Sequence, residues 1–120
     1  MKIYHNPRCR KSRETLSIIN KKKIDVHIVE YLKYPPTKKE IREIIKILNI
    51  PVLDLVRKEE DIFKKEYKGV TLSTNEWINV LHKNPILIQR PIVIKDSMAI
   101  IGRPPINVLD LLKQTTCKFK

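Results

Sequence analysis

Cys9 lies in a cation-rich segment whose residue types can activate a thiol. The segment reads His5-Asn6-Pro7-Arg8-Cys9-Arg10-Lys11-Ser12-Arg13 and falls between an expected strand and an expected helix. At a helix start, unpaired backbone amides and the positive end of the helix dipole favour a thiolate, and the nearby cations add to this. The same groups bind oxyanions. The segment therefore predicts that Cys9 is a nucleophile that meets an anion; the alternative is a small buried residue at a helix start.

Ser12 stands three residues after Cys9, where a Cys-x-x-Cys motif would place its second thiol. A serine cannot close a disulfide, so an intermediate formed on Cys9 would need a thiol from another molecule. Ser12 can donate a hydrogen bond to the thiolate, or be an ordinary polar residue of the first helical turn. His5 can tune the thiolate or be a structural histidine. His27 and His82 are interpreted as surface residues without a role.

Arg57, Arg90 and Arg103 each stand alone at the end of a predicted segment. The planar guanidinium offers a fork of donors that matches a tetrahedral oxyanion. Arginines at segment ends can converge on one site, but a single arginine is more commonly an ordinary surface residue. The spacing alone leaves open whether these three meet.

Hydrophobic periodicity and helix-start signals predict the elements that must position these residues. Two capping boxes, Thr37 with Glu40 and Ser73 with Glu76, each precede an amphipathic helix. Lys95-Asp96-Ser97 separates two short apolar strands and predicts a hairpin. The remaining elements are strands at Lys2–Tyr4 and Val26–Tyr31, a helix from Arg10 to about Asn20, short helical turns over 52–65, hairpin strands at 91–94 and 98–101, and a last helix over 105–112 with Val108, Leu109 and Leu112 inward.

This order predicts an α/β fold with a mixed sheet of about four strands flanked by helices. The early strand–helix–strand unit implies a parallel pair with a right-handed crossover, and the late hairpin adds antiparallel strands. The helices between these halves form an insertion. The chain of 120 residues suits a single domain over 1–120. This is the element order of a thioredoxin-like fold with a helical insertion.

Composition restricts the classes of function. The net charge of +12 suits an anionic substrate, an acidic partner or nucleic acid, although scattered lysines also make an ordinary solvated surface. Without a basic-aromatic stripe, direct nucleic-acid binding is not expected. The sequence shows neither an apolar run long enough for a membrane helix nor the apolar core of a signal peptide, so we expect a cytoplasmic protein. Cys9 and Cys117, at opposite ends of the chain, predict neither a disulfide scaffold nor a metal site.

Four separated motifs together resemble the glutaredoxin-coupled arsenate reductase family. The resemblance runs over essentially the whole chain, with the motifs in the family's order. They are His5-Asn6-Pro7-x-Cys9-x-x-Ser12-Arg13, Leu55-Val56-Arg57-Lys58, Asn84-Pro85-Ile86-Leu87-Ile88-x-Arg90-Pro91-Ile92-Val93 and Gly102-Arg103-Pro104.

The resemblance implies a thioredoxin-like fold and a reaction in which Cys9 attacks arsenate. It implies that Arg57, Arg90 and Arg103 bind the oxyanion, that His5 and Ser12 tune the thiolate, and that the peptide bond before Pro91 is cis. By the same resemblance, glutathione is the co-substrate and glutaredoxin the protein partner. We expect a monomer without a resident cofactor.

Two features of the sequence depart from that family or leave alternatives open. Arg10 and Lys11 occupy positions where better-studied members of the family carry small residues, so access to Cys9 or anion binding can differ. The wider family also includes thiol reductases of the same fold with other substrates, and regulators of the Spx type that bind RNA polymerase. Those regulators tend to lack the Gly-Arg-Pro motif, so Gly102-Arg103-Pro104 favours the enzyme. Cys117 is a further candidate for the resolving thiol.

Overall fold

The computed structural model describes residues 1–113, and the resolving role considered for Cys117 lies outside them. The chain divides into two compact units. The first, here called the sheet unit, comprises residues 1–31 together with residues 90–113. The second, the insertion unit, comprises residues 32–89. Within residues 1–113, no helix combines the length and apolar character that crossing a membrane requires.

The sheet unit contains a four-stranded mixed sheet, which confirms the predicted fold class. The strand order is β2-β1-β3-β4, with β1 parallel to β2 and antiparallel to β3, and with β3 and β4 forming the expected hairpin. Asp96 has φ of 57° at the hairpin turn, a conformation that aspartate tolerates better than most residues. The strands are β1 (Lys2–His5), β2 (His27–Glu30), β3 (Ile92–Lys95) and β4 (Met98–Ile101).

Helices α1 (Arg10–Lys21) and α5 (Asn107–Lys113) pack on this sheet and enclose the core of the sheet unit. Ile3 and Val93 face each other across β1 and β3 and are fully buried. They form one cluster with Ile19, Val108 and Leu111. In α5 the buried residues are thus Val108 and Leu111, whereas Leu109 and Leu112, which the sequence predicts as inward, are only half-buried.

The insertion unit is helical, as its two capping boxes predict. The Thr37 hydroxyl accepts a bond from the Glu40 amide (3.1 Å), and the Glu40 carboxylate accepts one from the Thr37 amide (2.9 Å). The Ser73–Glu76 pair repeats this arrangement. The unit comprises α2 (Lys38–Leu48), α3 (Asp61–Glu66) and α4 (Thr74–Lys83), with short 3-10 helices at Val52–Leu55 and Pro85–Leu87.

Aromatic and aliphatic side chains hold the insertion unit together. Phe63 stacks on Trp77 with ring centroids 6.1 Å apart, and α2 packs against α4. Ile41 on α2 and Leu81 on α4 are both fully buried. His82, interpreted from the sequence as a surface residue, is half-buried, with its Nδ1 2.9 Å from the Pro36 carbonyl oxygen. The helix that begins at the second capping box, α4, therefore contacts Phe63, Pro36 and α2.

Candidate active site

Cys9 is the N-cap residue of α1. Its backbone is extended (φ −92°, ψ 121°), its amide donates to the Asn6 carbonyl (3.0 Å), and its carbonyl accepts from the Arg13 amide (3.0 Å). No acidic residue lies in the first turn of α1. The half-buried thiol therefore faces the free amides and the positive end of the helix dipole without a competing carboxylate in that turn.

Arg103 lies beside the thiol. Its Nη1 is 3.8 Å from Cys9 Sγ, and the same nitrogen donates to the carbonyl oxygen of Arg90 at 3.1 Å. Arg90 is buried, with 7% of its surface exposed. Both arginines precede prolines, and the peptide bonds Arg90–Pro91 and Arg103–Pro104 are both cis. The sheet unit thus brings two of the three predicted arginines to Cys9.

The pKa of Cys9 lies below its ordinary value. Partial burial is the largest single influence and by itself raises the pKa, but four other interactions outweigh it. These are the hydrogen bond from the Ser12 backbone N–H, the side-chain bonds from Arg90 and Arg103, and the charge of Arg90. All four stabilise the thiolate over the thiol. The position of Cys9 at a helix start and two arginines distant in sequence therefore favour its thiolate form.

The Ser12 side chain is fully buried and takes part in a hydrogen-bond network with Asn6 and His5. Its Oγ accepts a bond from the Asn6 amide (3.1 Å) and lies 2.6 Å from His5 Nδ1, with which it shares one hydrogen. Burial lowers the pKa of His5, opposed by the charge of Glu30 and reinforced by that of Arg13. His5 is therefore neutral near neutral pH. The Ser12 backbone amide helps to lower the pKa of Cys9, while its hydroxyl bonds to Asn6 and His5 within the strand-to-helix loop.

We expect Ser12→Ala to destabilise the protein by about 1–3 kcal/mol, because the buried Asn6 amide and His5 Nδ1 would lose their partner. The Ser12 amide remains, so the pKa of Cys9 should change little. Urea unfolding and thiolate titration measure the two quantities. Ser17→Ala, an exposed site on the same helix, is the matched control. An equal loss of stability in both variants would contradict the network.

Arg57 lies in the insertion unit, where two carboxylates hold it. Its Nε donates to Glu60 (3.0 Å), and its Nη2 pairs with Glu59 (3.1 Å). Its amide donates to the Leu87 carbonyl (2.7 Å). The remaining nitrogen, Nη1, is buried and has no hydrogen-bond partner within residues 1–113. A buried donor without a partner is costly, so Nη1 is suited to an incoming acceptor.

The cations next to Cys9 in sequence point outward. Arg8, Arg10, Lys11 and Arg13 are all exposed. Arg10 pairs with Glu14 (3.4 Å), and Arg13 Nη1 donates to the Pro7 carbonyl (3.0 Å). These neighbours were expected to stabilise the thiolate, whereas the side chains that lower the pKa of Cys9 are Arg90 and Arg103.

Two contacts in the segments around Cys9 are not predictable from the sequence pattern. Asn6 is buried, and its Oδ1 accepts from the Arg8 amide (3.0 Å), which fixes the turn before Cys9; the Asn-Pro pair signalled a turn but not this bond. Thr15 is fully buried in α1 and touches Gly102, and nothing in the sequence pattern singles it out. No group of three or more His, Cys, Asp or Glu side chains within residues 1–113 is placed to hold a metal ion.

A four-stranded mixed sheet of this order, with a cysteine at the N-cap of its first helix, defines a thioredoxin-like protein. The chain belongs to the ArsC family, whose family model matches residues 4–111. This confirms the resemblance carried by the four motifs.

Similar proteins are found across bacteria. The chain is 40% identical to the Escherichia coli K12 protein YfgD, described as uncharacterized, over 93% of this chain and 96% of YfgD. It is 39% identical to an arsenate reductase of Haemophilus influenzae, over 92% of this chain and 97% of the relative. The solved structure of an arsenate reductase from Vibrio cholerae superposes with a TM-score of 0.87 at 35% identity, covering 92% and 97% of the two chains. Such relatives support an oxidoreductase.

Proposed function

We propose that this protein reduces arsenate to arsenite through a covalent adduct on Cys9, which an external thiol resolves. The observation that carries the proposal is the N-cap position of Cys9, whose lowered pKa arises from the Ser12 amide and the Arg90 and Arg103 side chains. A thiolate surrounded by such donors both binds a tetrahedral oxyanion and attacks it. The arsenate reductases among the relatives support the choice of arsenate.

In the first step the Cys9 thiolate attacks arsenic, an arsenic–oxygen bond breaks, and the oxygen leaves as water after protonation. Arg103 and Arg90 offset the charge that develops on the remaining arsenate oxygens. An external thiolate then attacks Cys9 Sγ, and the arsenic leaves with the two electrons of the sulfur–arsenic bond as arsenite. A second external thiol reduces the resulting mixed disulfide and regenerates Cys9.

Ser12 supports the need for an external thiol. It occupies the place of a resolving cysteine, is fully buried, and is engaged with His5 and Asn6. Among residues 1–113 the free cysteine is Cys9. Glutathione is the proposed donor and glutaredoxin the proposed partner that reduces the mixed disulfide, in the cytoplasm, where thiols stay reduced.

We further propose Arg57 as an oxyanion ligand, on the strength of its family motif and its unpartnered Nη1. Arg57→Ala should raise the KM for arsenate by about tenfold, the worth of one charge-assisted hydrogen bond. Steady-state kinetics measure this. The matched control is Arg42→Ala, an exposed arginine on α2 of the same unit. A loss of stability with unchanged KM would assign Arg57 to its ion pairs with Glu59 and Glu60 alone.

The test of the proposed function is arsenate reduction by the purified full chain, with glutathione and glutaredoxin and with each omitted in turn. We expect arsenite formation that requires an added thiol. Activity with a dithiol protein such as thioredoxin, but none with glutathione, would support arsenate reduction and overturn glutathione as the thiol donor. Absence of arsenite with every donor, together with tight binding to RNA polymerase, would overturn the proposal in favour of a regulator.

A further inference from the structure

Gly102 lies where three segments of the sheet unit meet. It directly precedes Arg103, its amide donates to the Pro91 carbonyl (2.9 Å), and its carbonyl oxygen lies 3.5 Å from Thr15 Oγ1. Pro91 directly follows Arg90, and Thr15 belongs to the helix that Cys9 caps. The segments that carry the thiol and the two arginines are therefore in contact at this one glycine.

The contact leaves no room for a side chain on Gly102. A Cβ there would lie 2.5 Å from Thr15 Oγ1, 2.7 Å from Pro91 Cγ and 3.1 Å from Thr15 Cγ2. The first two distances are well inside van der Waals contact, so one of the three segments would have to move. The absence of a side chain permits close approach of the backbone, which is one of the physical reasons for glycine at a site.

Thr15 is fixed independently of Gly102. It is fully buried, and its hydroxyl donates to the Lys11 carbonyl (2.8 Å) one turn earlier in α1. The Thr15 side chain therefore limits how closely the Gly102 backbone can approach α1. Arg103 then extends from Gly102 to Cys9 Sγ, with its Nη1 also held by the Arg90 carbonyl oxygen.

We propose that Thr15 and Gly102 are positioning residues that set the distance from Arg103 and Arg90 to the Cys9 thiol. Neither touches the reacting atoms. They act by fixing how closely the Gly102–Arg103 segment and the Pro91 segment approach α1. A displacement of about 1 Å at such a junction is enough to weaken a catalytic contact substantially. The inference deepens the proposed function, but it concerns the thiol environment and holds for any oxyanion substrate.

The test measures the alkylation rate of Cys9 in a Cys117→Ser background, where Cys9 is the one remaining cysteine. Gly102→Ala should slow alkylation of Cys9 by iodoacetamide near neutral pH by about tenfold, because a displaced Arg103 stabilises the thiolate less. Thr15→Ala combined with Gly102→Ala removes two of the three close contacts but leaves Pro91 Cγ at 2.7 Å and also removes the Thr15 hydroxyl, so it should restore only part of the rate. Thr15→Ser should stay within about twofold of the parent, whereas Thr15→Val, which lacks the hydroxyl, should be slower.

Ile19→Val is the control for packing, since Ile19 is fully buried one turn further along α1, belongs to the core cluster, and is not among the atoms nearest to a Cβ on Gly102. It should lower the unfolding midpoint and leave the alkylation rate unchanged. Equal alkylation rates in Gly102→Ala and the parent would overturn the proposal, as would equal slowing in Ile19→Val. If Gly102→Ala fails to fold, indistinguishable Thr15→Val and Thr15→Ser rates would overturn it. Failure of arsenate reduction with these thiol effects intact would refute the substrate and leave the positioning role standing.

Discussion

Replacing Cys9 by serine should lower the kcat/KM for arsenate by at least about a thousandfold, since a serine hydroxyl in this site stays protonated near neutral pH. The lowered pKa of Cys9 arises from donors placed for a thiolate, and these cannot bring an alcohol into its ionised range. The covalent sulfur–arsenic step is then lost, and the remaining groups can only bind the oxyanion. Arsenite formation at saturating glutathione and glutaredoxin measures the loss.

Binding of the oxyanion should survive this substitution. Arg103 is held by the Arg90 carbonyl as well as by its contact with Cys9, so the site keeps its shape without the sulfur. Calorimetric titration of Cys9→Ser with arsenate should give an affinity within about threefold of that for the thiol protein. Cys117→Ser is the matched control and should retain full activity. Equal inactivity of the two serine variants would mean that an internal disulfide resolves the adduct.

The fold was largely predictable because its signals are local. The capping boxes at Thr37 and Ser73 form as predicted, and the predicted hairpin turn forms at Asp96-Ser97, with Lys95 as the last residue of β3. The order of elements then restricts the topology to a mixed sheet. The prediction that differs from the structure concerns α5, where tertiary contacts set which residues face the core. Leu111, which was not predicted to face inward, is buried in the core, Leu112 packs against that core while half-buried, and Leu109 is not part of it, because the angular position of α5 depends on the sheet against which it packs.

The site was predictable in its chemistry but not in its partners. The position of Cys9 at a helix start follows from local sequence, and the structure places it at the N-cap. The contact between Arg103 and Cys9 joins residues 94 positions apart, so no local pattern contains it. The same holds for Thr15 and Gly102, which are 87 positions apart and lie so close together that no side chain fits on Gly102. Charge near Cys9 in the sequence was a poor guide, because Arg8, Arg10 and Lys11 point to solvent.

Removing the Arg103 side chain should have the second-largest effect on catalysis. Arg103→Ala should lower kcat/KM for arsenate by about a hundredfold, the usual consequence of losing one donor to developing negative charge. Two contributions make up that loss. One is the stabilisation of the thiolate, since Arg103 lies 3.8 Å from Cys9 Sγ and helps to lower its pKa. The other is the stabilisation of the arsenate oxygens during attack.

The pH dependence separates these two contributions. Without Arg103 the pKa of Cys9 rises, so a smaller fraction of the thiol is ionised near neutral pH and the variant's rate should climb until the pH passes the raised pKa. The deficit relative to the parent should therefore narrow as the pH rises. It should not close, because alkaline pH restores the thiolate but not the donor to the oxyanion. Arg8→Ala, which removes an exposed arginine beside Cys9, is the matched control and should follow the parent profile. A deficit in Arg103→Ala that stays constant at every pH would show that Arg103 acts on the oxyanion alone, whereas one that vanishes at alkaline pH would show that it acts only through the thiolate.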